Sequence, residues 1–163
     1  MTTLHTRAKT ALIASLLLLS ACQESHTPAP QCNFEPPALD GANAGCLVMQ
    51  DHAILMIQHQ TRLWGLPGGT HETGESAQCT AHRETWEETG VEVKVGKLLR
   101  VFDNGFHLFR CQISSTTQLN QAQIQDAGEV NVTDWIESKD FDNYKWRFPK
   151  QMEWLSTVVD QQP

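Results

Sequence analysis

The sequence predicts an α/β fold of the α+β kind. Three observations carry that expectation: short apolar runs bounded by turn residues lie on both sides of one helical segment, a glycine-rich loop leads into that segment, and helical spacing returns near the end of the chain. A single domain is expected from residues 41–163, with no internal repeat.

The apolar runs Leu47-Val48-Met49 and Ile54-Leu55-Met56-Ile57, within 46–50 and 53–59, are split by Asp51-His52 and read as a β-hairpin. After the loop Leu63-Trp64-Gly65-Leu66-Pro67-Gly68-Gly69, Ser76 can cap a helix. Ala77, Ala81 and Thr85 then recur at i, i+4 and i+8 as a modest apolar stripe, and Gly90 ends it. Val91, Val93 and Val95 alternate with Glu92 and Lys94 as a strand does, and Leu98 to Phe102 continue it to the turn Asp103-Asn104-Gly105. Further strands are expected over 106–113 and 129–136. Met152, Leu155 and Val159 give 149–159 helical spacing.

The segment 69–91 reads GTHETGESAQCTAHRETWEETGV. Glu84 shares a helix face with Glu87 and Glu88, and each like-charge pair costs about 0.2–0.5 kcal/mol unless something compensates. Carboxylates crowded in this way invite a divalent cation. The spacing of Gly69, Glu75, Arg83, Glu84, Glu87, Glu88, Gly90 and Val91 resembles the signature of the Nudix hydrolases. Thr85 departs from it, standing where a bulky aliphatic normally packs the helix on the sheet. The lead-in 63–69 also resembles the strand and loop before the motif in that family, and the likeness covers roughly 45–155.

The resemblance implies an α/β/α sandwich with a mixed central sheet. It also implies metal-assisted attack of water on a nucleoside diphosphate linked to another group, or on a related organic pyrophosphate. Carried over by position, Glu84, Glu87 and Glu88 are the metal-site acids, joined by the Gly69 carbonyl, with Glu84 a candidate base. Arg83 orients a motif glutamate and Glu75 fixes the loop-to-helix geometry. Magnesium suits oxygen ligands and substrate phosphates, with manganese a plausible substitute. Asp126 and Glu129 precede Thr133-Asp134-Trp135, resembling a family segment that can bring a remote acid to the metals. Ordinary surface acids are the alternative there, and a solvated helix face with an Arg83–Glu87 ion pair is the alternative for the motif acids. At the level of function the alternative is a non-catalytic ligand-binding or sensing module on the same fold.

Outside the motif the functional signals thin. In 144–150, Tyr144-Lys145-Trp146-Arg147-Phe148-Pro149-Lys150, aromatic packing at the start of the last helix is favoured over base stacking or phosphate binding. His52, His59, His71, His82 and His107 read as surface or core histidines, and Trp64 as a packing anchor.

At the N-terminus Arg7 and Lys9 precede an apolar run from Ala11 to Leu19, which is shorter than the roughly 20 residues of a membrane-spanning helix. Leu19-Ser20-Ala21-Cys22 follows. The segment resembles a bacterial lipoprotein signal peptide over residues 1–21, with Cys22 the lipid-bearing first residue of the mature chain. Gln23 after the cysteine resembles lipoproteins sorted to the outer membrane, which predicts a cell-envelope protein facing the periplasm and held to the membrane by its lipid anchor. Residues 22–40, with Pro28, Pro30, Pro36 and Pro37, read as a tether.

Acidic residues number 19 against 12 basic, a net charge of −7, and loss of the leader removes Arg7 and Lys9 as well. That balance argues against a nucleic-acid partner. It permits small phosphorylated substrates, because a bound metal reverses the local sign. Besides Cys22 the chain has Cys32, Cys46, Cys79 and Cys111, an even number that in an oxidising compartment suggests disulfides. The favoured pairing is Cys32 with Cys46 and Cys79 with Cys111, with free buried thiols as the alternative. No CxxC pair supports a cysteine zinc site.

Overall fold

Alternation along the central strands shows how the sheet is covered on both faces. In the computed structural model, which describes residues 28–114, 124 and 128–159, the elements are β1 (Ala44–Gln50), β2 (Ala53–His59), β3 (Trp64–Gly65), β4 (Gly68–Gly69), α1 (Ala77–Thr89), β5 (Val93–Val101), β6 (His107–Ile113), β7 (Val130–Glu137), a 3-10 helix (Ser138–Asn143) and α2 (Pro149–Val159). Ala44, Cys46 and Val48 of β1 point into one core with Ala77 and Ala81 of α1. Leu47 points into the other, with Met152, Leu155 and Val159 of α2. β6 divides the same way, Phe109 and Cys111 toward α1 and Leu108 toward α2. Strands buried on both faces read as continuous apolar runs, which is the pattern at 46–50 and 53–59. Each fully buried Leu, Ile or Phe here contributes about 1.5–3 kcal/mol.

The sheet is mixed. β1 and β6 run parallel, while β5 pairs antiparallel with β6 and β7 antiparallel with β2. β1 and β2 pair only at their turn, Met49 with Ile54 and Gln50 with Ala53. Beyond it β3 pairs with β2 and β4 pairs with β1, so the two short strands fill the fork where the hairpin opens. This delivers Gly68 and Gly69 to the face that carries α1. The two-residue strands and the 3-10 helix have no signature in the sequence, being shorter than any period can register.

α1 begins and ends where the sequence places it. The Ser76 hydroxyl accepts from the Cys79 N–H at 3.2 Å, a cap whose loss costs about 1 kcal/mol, and Gly90 closes the helix with φ 68°. Its core face carries three threonines whose hydroxyls are paired locally: Thr85 donates to the Ala81 carbonyl, Thr89 to that of Thr85, and Thr80 shares its one proton between the Ser76 carbonyl and the Glu75 carboxylate. Thr85 is wholly buried despite its hydroxyl.

Two disulfides join Cys32 to Cys79 and Cys46 to Cys111, overturning the expected pairing. Cys46 and Cys111 face the same core from neighbouring parallel strands, with Cα atoms 5.5 Å apart. Cys32 is instead carried to the first turn of α1, because residues 33–35 lie along β5, with Val95 N–H donating to the Asn33 carbonyl and Glu35 N–H to that of Val95. The Gln78 amide also holds this strap, donating to the Pro37 carbonyl and accepting from the Leu39 N–H. A pairing that depends on which strands become neighbours is invisible to spacing alone. No described helix is long and apolar enough to cross a membrane. The leader, Cys22 and Asp126 lie outside the described residues.

Candidate active site

The fork and α1 face one another across a cleft of about 300 Å³, with Gly68, Gly69 and Thr70 on one wall and Arg83, Glu84, Glu87 and Glu88 on the other. Gly69 has no room for a side chain: a Cβ there would lie 2.5 Å from the Glu84 carboxyl. The Gly68 N–H donates to Glu88 at 2.7 Å. Glycine is therefore required on physical grounds, because helix carboxylates approach the loop backbone closely.

Arg83 bolts loop to helix. Its Nε and Nη2 donate to the two oxygens of Glu75 at 2.8 and 3.0 Å, Nη2 also to the Thr70 carbonyl, and Nη1 to Glu84 and Glu87, each at 2.9 Å. Glu75 accepts in addition from the Glu72 N–H and the Thr80 hydroxyl. Burial alone would raise its carboxyl, but these hydrogen bonds, those of Arg83 foremost, bring it below the ordinary value.

Glu84 and Glu88 are pushed the opposite way. Burial raises Glu84 to about 7, opposed by Arg83 and reinforced by the charges of Glu87 and Glu129. Burial also holds Glu88 well above the ordinary carboxylate range, opposed by the Gly68 N–H and reinforced by Glu84 and Glu129. Exposed Glu129 enters the cleft from the start of β7, so the structure places it beside the motif acids.

Among the described residues no three His, Cys, Asp or Glu side chains converge as a ready-made metal cluster. Glu84, Glu87, Glu88 and Gly69 share one cleft without converging, since Arg83 draws Glu84 and Glu87 onto its guanidinium and Gly68 engages one oxygen of Glu88. The donor set still fits a hard divalent cation. Half-buried Glu84 and buried Glu88 offer carboxylate oxygens whose ionised forms destabilise one another, and a cation between them would relieve that cost. A larger cavity of about 330 Å³ lies between the 103–104 turn and the start of α2. Asp103 is its single acidic lining residue, so the carboxylate chemistry belongs to the smaller cleft.

Two residues of the cleft have no site role in the favoured sequence reading, His59 as a surface or core histidine and Arg147 within a stretch where packing is preferred to phosphate binding. Arg147 Nη1 lies 2.7 Å from His59 Nε2, and both line the wall facing the acids. Burial, then the charge of Arg147, lowers His59 to about 4, so its imidazole is neutral. They are 88 positions apart and meet because the chain before α2 returns to β3, with Trp64 N–H donating to Lys145 and Arg147 N–H to Trp64, both at 2.8 Å. The aromatic reading of this stretch holds for Tyr144 and Trp146, which pack with Trp64 and Phe141. It does not extend to Arg147.

A mixed sheet between two helices, with a glycine loop pressed against helix carboxylates, is the arrangement that the sequence resemblance implies. Residues 40–158 match the NUDIX domain, and the chain belongs to the Nudix hydrolase family. It is 33% identical over 113 residues to a MutT-like protein of Streptomyces ambofaciens, covering 66% of this chain and 70% of that protein. It is 30% identical over 110 residues to a putative 8-oxo-dGTP diphosphatase 3 of Mycobacterium tuberculosis, covering 68% of this chain and 46% of that one. The fold is similar to a UDP-X diphosphatase, with TM-score 0.60, 24% identity and 78% and 66% of the two chains covered. It is also similar to an ADP-ribose pyrophosphatase from Streptococcus suis, with TM-score 0.61, 18% identity and 76% and 90% covered.

Proposed function

We propose that the protein is a metal-dependent hydrolase that splits a phosphoanhydride bond in a nucleoside diphosphate linked to another group, or in a related organic pyrophosphate. The observation that carries this reading is the burial of Glu84 and Glu88 against Gly68 and Gly69, where their ionised forms are costly without a cation. Glu84, Glu87 and Glu88, with Glu129 or Asp126 as a further acid, would hold magnesium or manganese. A bound divalent ion neutralises phosphate charge and lowers the pKa of water. The chain's own share is to hold and orient. Arg83, locked by Glu75, fixes Glu84 and Glu87, and the Gly68 N–H fixes Glu88. Glu84 is the candidate to take a proton from the attacking water.

The protein is also proposed to be exported and lipid-anchored at Cys22, facing the periplasm from the outer membrane. Leader composition and the two disulfides, which persist in oxidising compartments, support this. That setting turns attention from cytoplasmic nucleotide pools toward nucleotide sugars, dinucleotides and isoprenoid pyrophosphates.

The test is release of phosphate or nucleotide from a panel containing these compounds, ADP-ribose, a UDP-sugar and 8-oxo-dGTP, with magnesium or manganese and with chelator. Turnover is expected only with metal, and Glu88→Gln should reduce it on the order of a hundredfold while the fold is retained. Tight ligand binding by calorimetry without turnover on any member would point to a sensing module instead.

A further inference from the structure

We propose that Arg147 is the phosphate-recognising residue of the cleft and selects pyrophosphates that carry an unesterified terminal phosphate. The inference rests on the hydrolase reading and names the substrate class of that same site.

Two cations line the cleft among the described residues, Arg83 and Arg147. A guanidinium has five N–H donors, and all five of Arg83 are committed, to Glu75, Glu84, Glu87 and Thr70. Arg83 has nothing left to offer an anion. Arg147 differs in each respect. It forms no ion pair among the described residues, and its one side-chain hydrogen-bond partner there is the imidazole of His59, reached through Nη1. Its Nε and Nη2 edge has no acceptor among the described residues.

The surroundings of Arg147 hold its charge in place without cancelling it. His59 is 8% exposed and neutral, so it positions the guanidinium as an acceptor, where a carboxylate would neutralise it. The Phe148 ring lies 5.2 Å from the guanidinium carbon. The backbone is pinned to Trp64, whose ring packs edge-on to Tyr144 at 5.2 Å. The charge also reaches Glu88 across the cleft. An exposed guanidinium held by His59 and the Phe148 ring, with no ion pair among the described residues and an acidic cluster in the same cleft, is arranged for an anion that bridges the two.

The geometry of the donors narrows that anion. Arginine recognises phosphate best through two parallel N–H donors to two oxygens. An unesterified terminal phosphate has three non-bridging oxygens, so two can face Arg147 and one remains for the acidic side. A phosphate esterified within a dinucleotide or a nucleotide sugar has two, which the bidentate contact alone would consume. The predicted preference is therefore for pyrophosphates with a free end, which among the compounds that the exported setting favours places isoprenoid pyrophosphates above nucleotide sugars and dinucleotides, with nucleoside di- and triphosphates sharing the feature.

The experiment uses the full chain with disulfides intact. It compares wild type, Arg147→Ala and Arg147→Lys, with melting temperatures recorded for each. Calorimetry with methylenebisphosphonate and magnesium reads the contact directly: Arg147→Ala should bind at least about tenfold more weakly, and Arg147→Lys should recover part of the loss. The ratio of kcat/KM for GTP over ADP-ribose should fall about tenfold or more in Arg147→Ala, a selectivity change that loss of fold would not produce. Unchanged binding and ratio in Arg147→Ala, or equal loss on both substrates, would overturn the assignment while leaving the hydrolase reading intact. A wild type that turns over only the doubly esterified substrate would overturn it too. Arg147-dependent binding without turnover on any substrate supports the contact and removes the hydrolase.

Discussion

Glu84 and Glu75 show how one arginine sorts acids into two roles. Glu75 accepts four hydrogen bonds, two of them from Arg83, and its carboxyl lies below the ordinary value. Glu84 receives a single bond from the same guanidinium and is pushed up to about 7 by burial. The sign of the consequence follows. A carboxyl whose folded pKa exceeds its unfolded value binds its proton more tightly when folded, so its contribution weakens as pH rises from about 4.5 to about 7. Glutamine mimics the protonated form. In chelator, Glu84→Gln is expected to gain stability relative to wild type across that window and to level off above it, by at most on the order of 3 kcal/mol. Urea unfolding of both proteins at pH 5 and pH 8 measures the difference, and a margin that does not grow with pH would remove the buried-carboxylate account. His59 and His82, both lowered by burial, titrate alike in the two proteins and cancel from the comparison, while Glu88, relieved of the Glu84 charge, adds to the gain in the same direction.

Among the elements, α1 is the one most legible in the sequence, and its partners are the least. Ser76, the Ala77–Ala81–Thr85 stripe and Gly90 mark its ends and buried face because capping and periodicity act over a few residues. The glycine loop was legible for the same local reason. The disulfides were not, since Cys46 meets Cys111 only through the parallel pairing of β1 with β6, and Cys32 meets Cys79 only because 33–35 lie along β5. Non-reducing peptide mapping should recover the pairs 32–79 and 46–111, and fragments joining 32 to 46 would contradict the fold around the strap. Replacing Cys46 and Cys111 together by alanine removes a link spanning 65 positions and should cost about 2–4 kcal/mol, read as a lower denaturation midpoint. The corresponding change at Cys32 and Cys79 removes the covalent tie between the strap and the helix that carries the glutamates, leaving the Gln78 hydrogen bonds to hold it.

At the scale of the whole molecule, the layered architecture was legible from the order of elements, a helix between strands and another at the end, together with the family resemblance, whereas the side of the cleft that carries His59, Glu129 and Arg147 was not. It is assembled from β2, the start of β7 and the segment before α2, three stretches that no local pattern connects. The wider setting rests on features that lie apart from the cleft. Arg7 and Lys9, the apolar run and Leu19-Ser20-Ala21-Cys22 would suit the proposed leader processed at a cysteine, and two cross-links suit an oxidising compartment. If Cys22 bears lipid, the strap that begins at Cys32 fastens the domain a short, proline-bearing stretch from the membrane. Palmitate should then label the wild type expressed in a Gram-negative host and leave Cys22→Ser unlabelled, with label in the outer-membrane fraction. Equal labelling of both proteins would rule out lipid at Cys22. Absence of label together with disulfide-linked protein in the periplasm would leave export standing and detach the enzyme from the membrane.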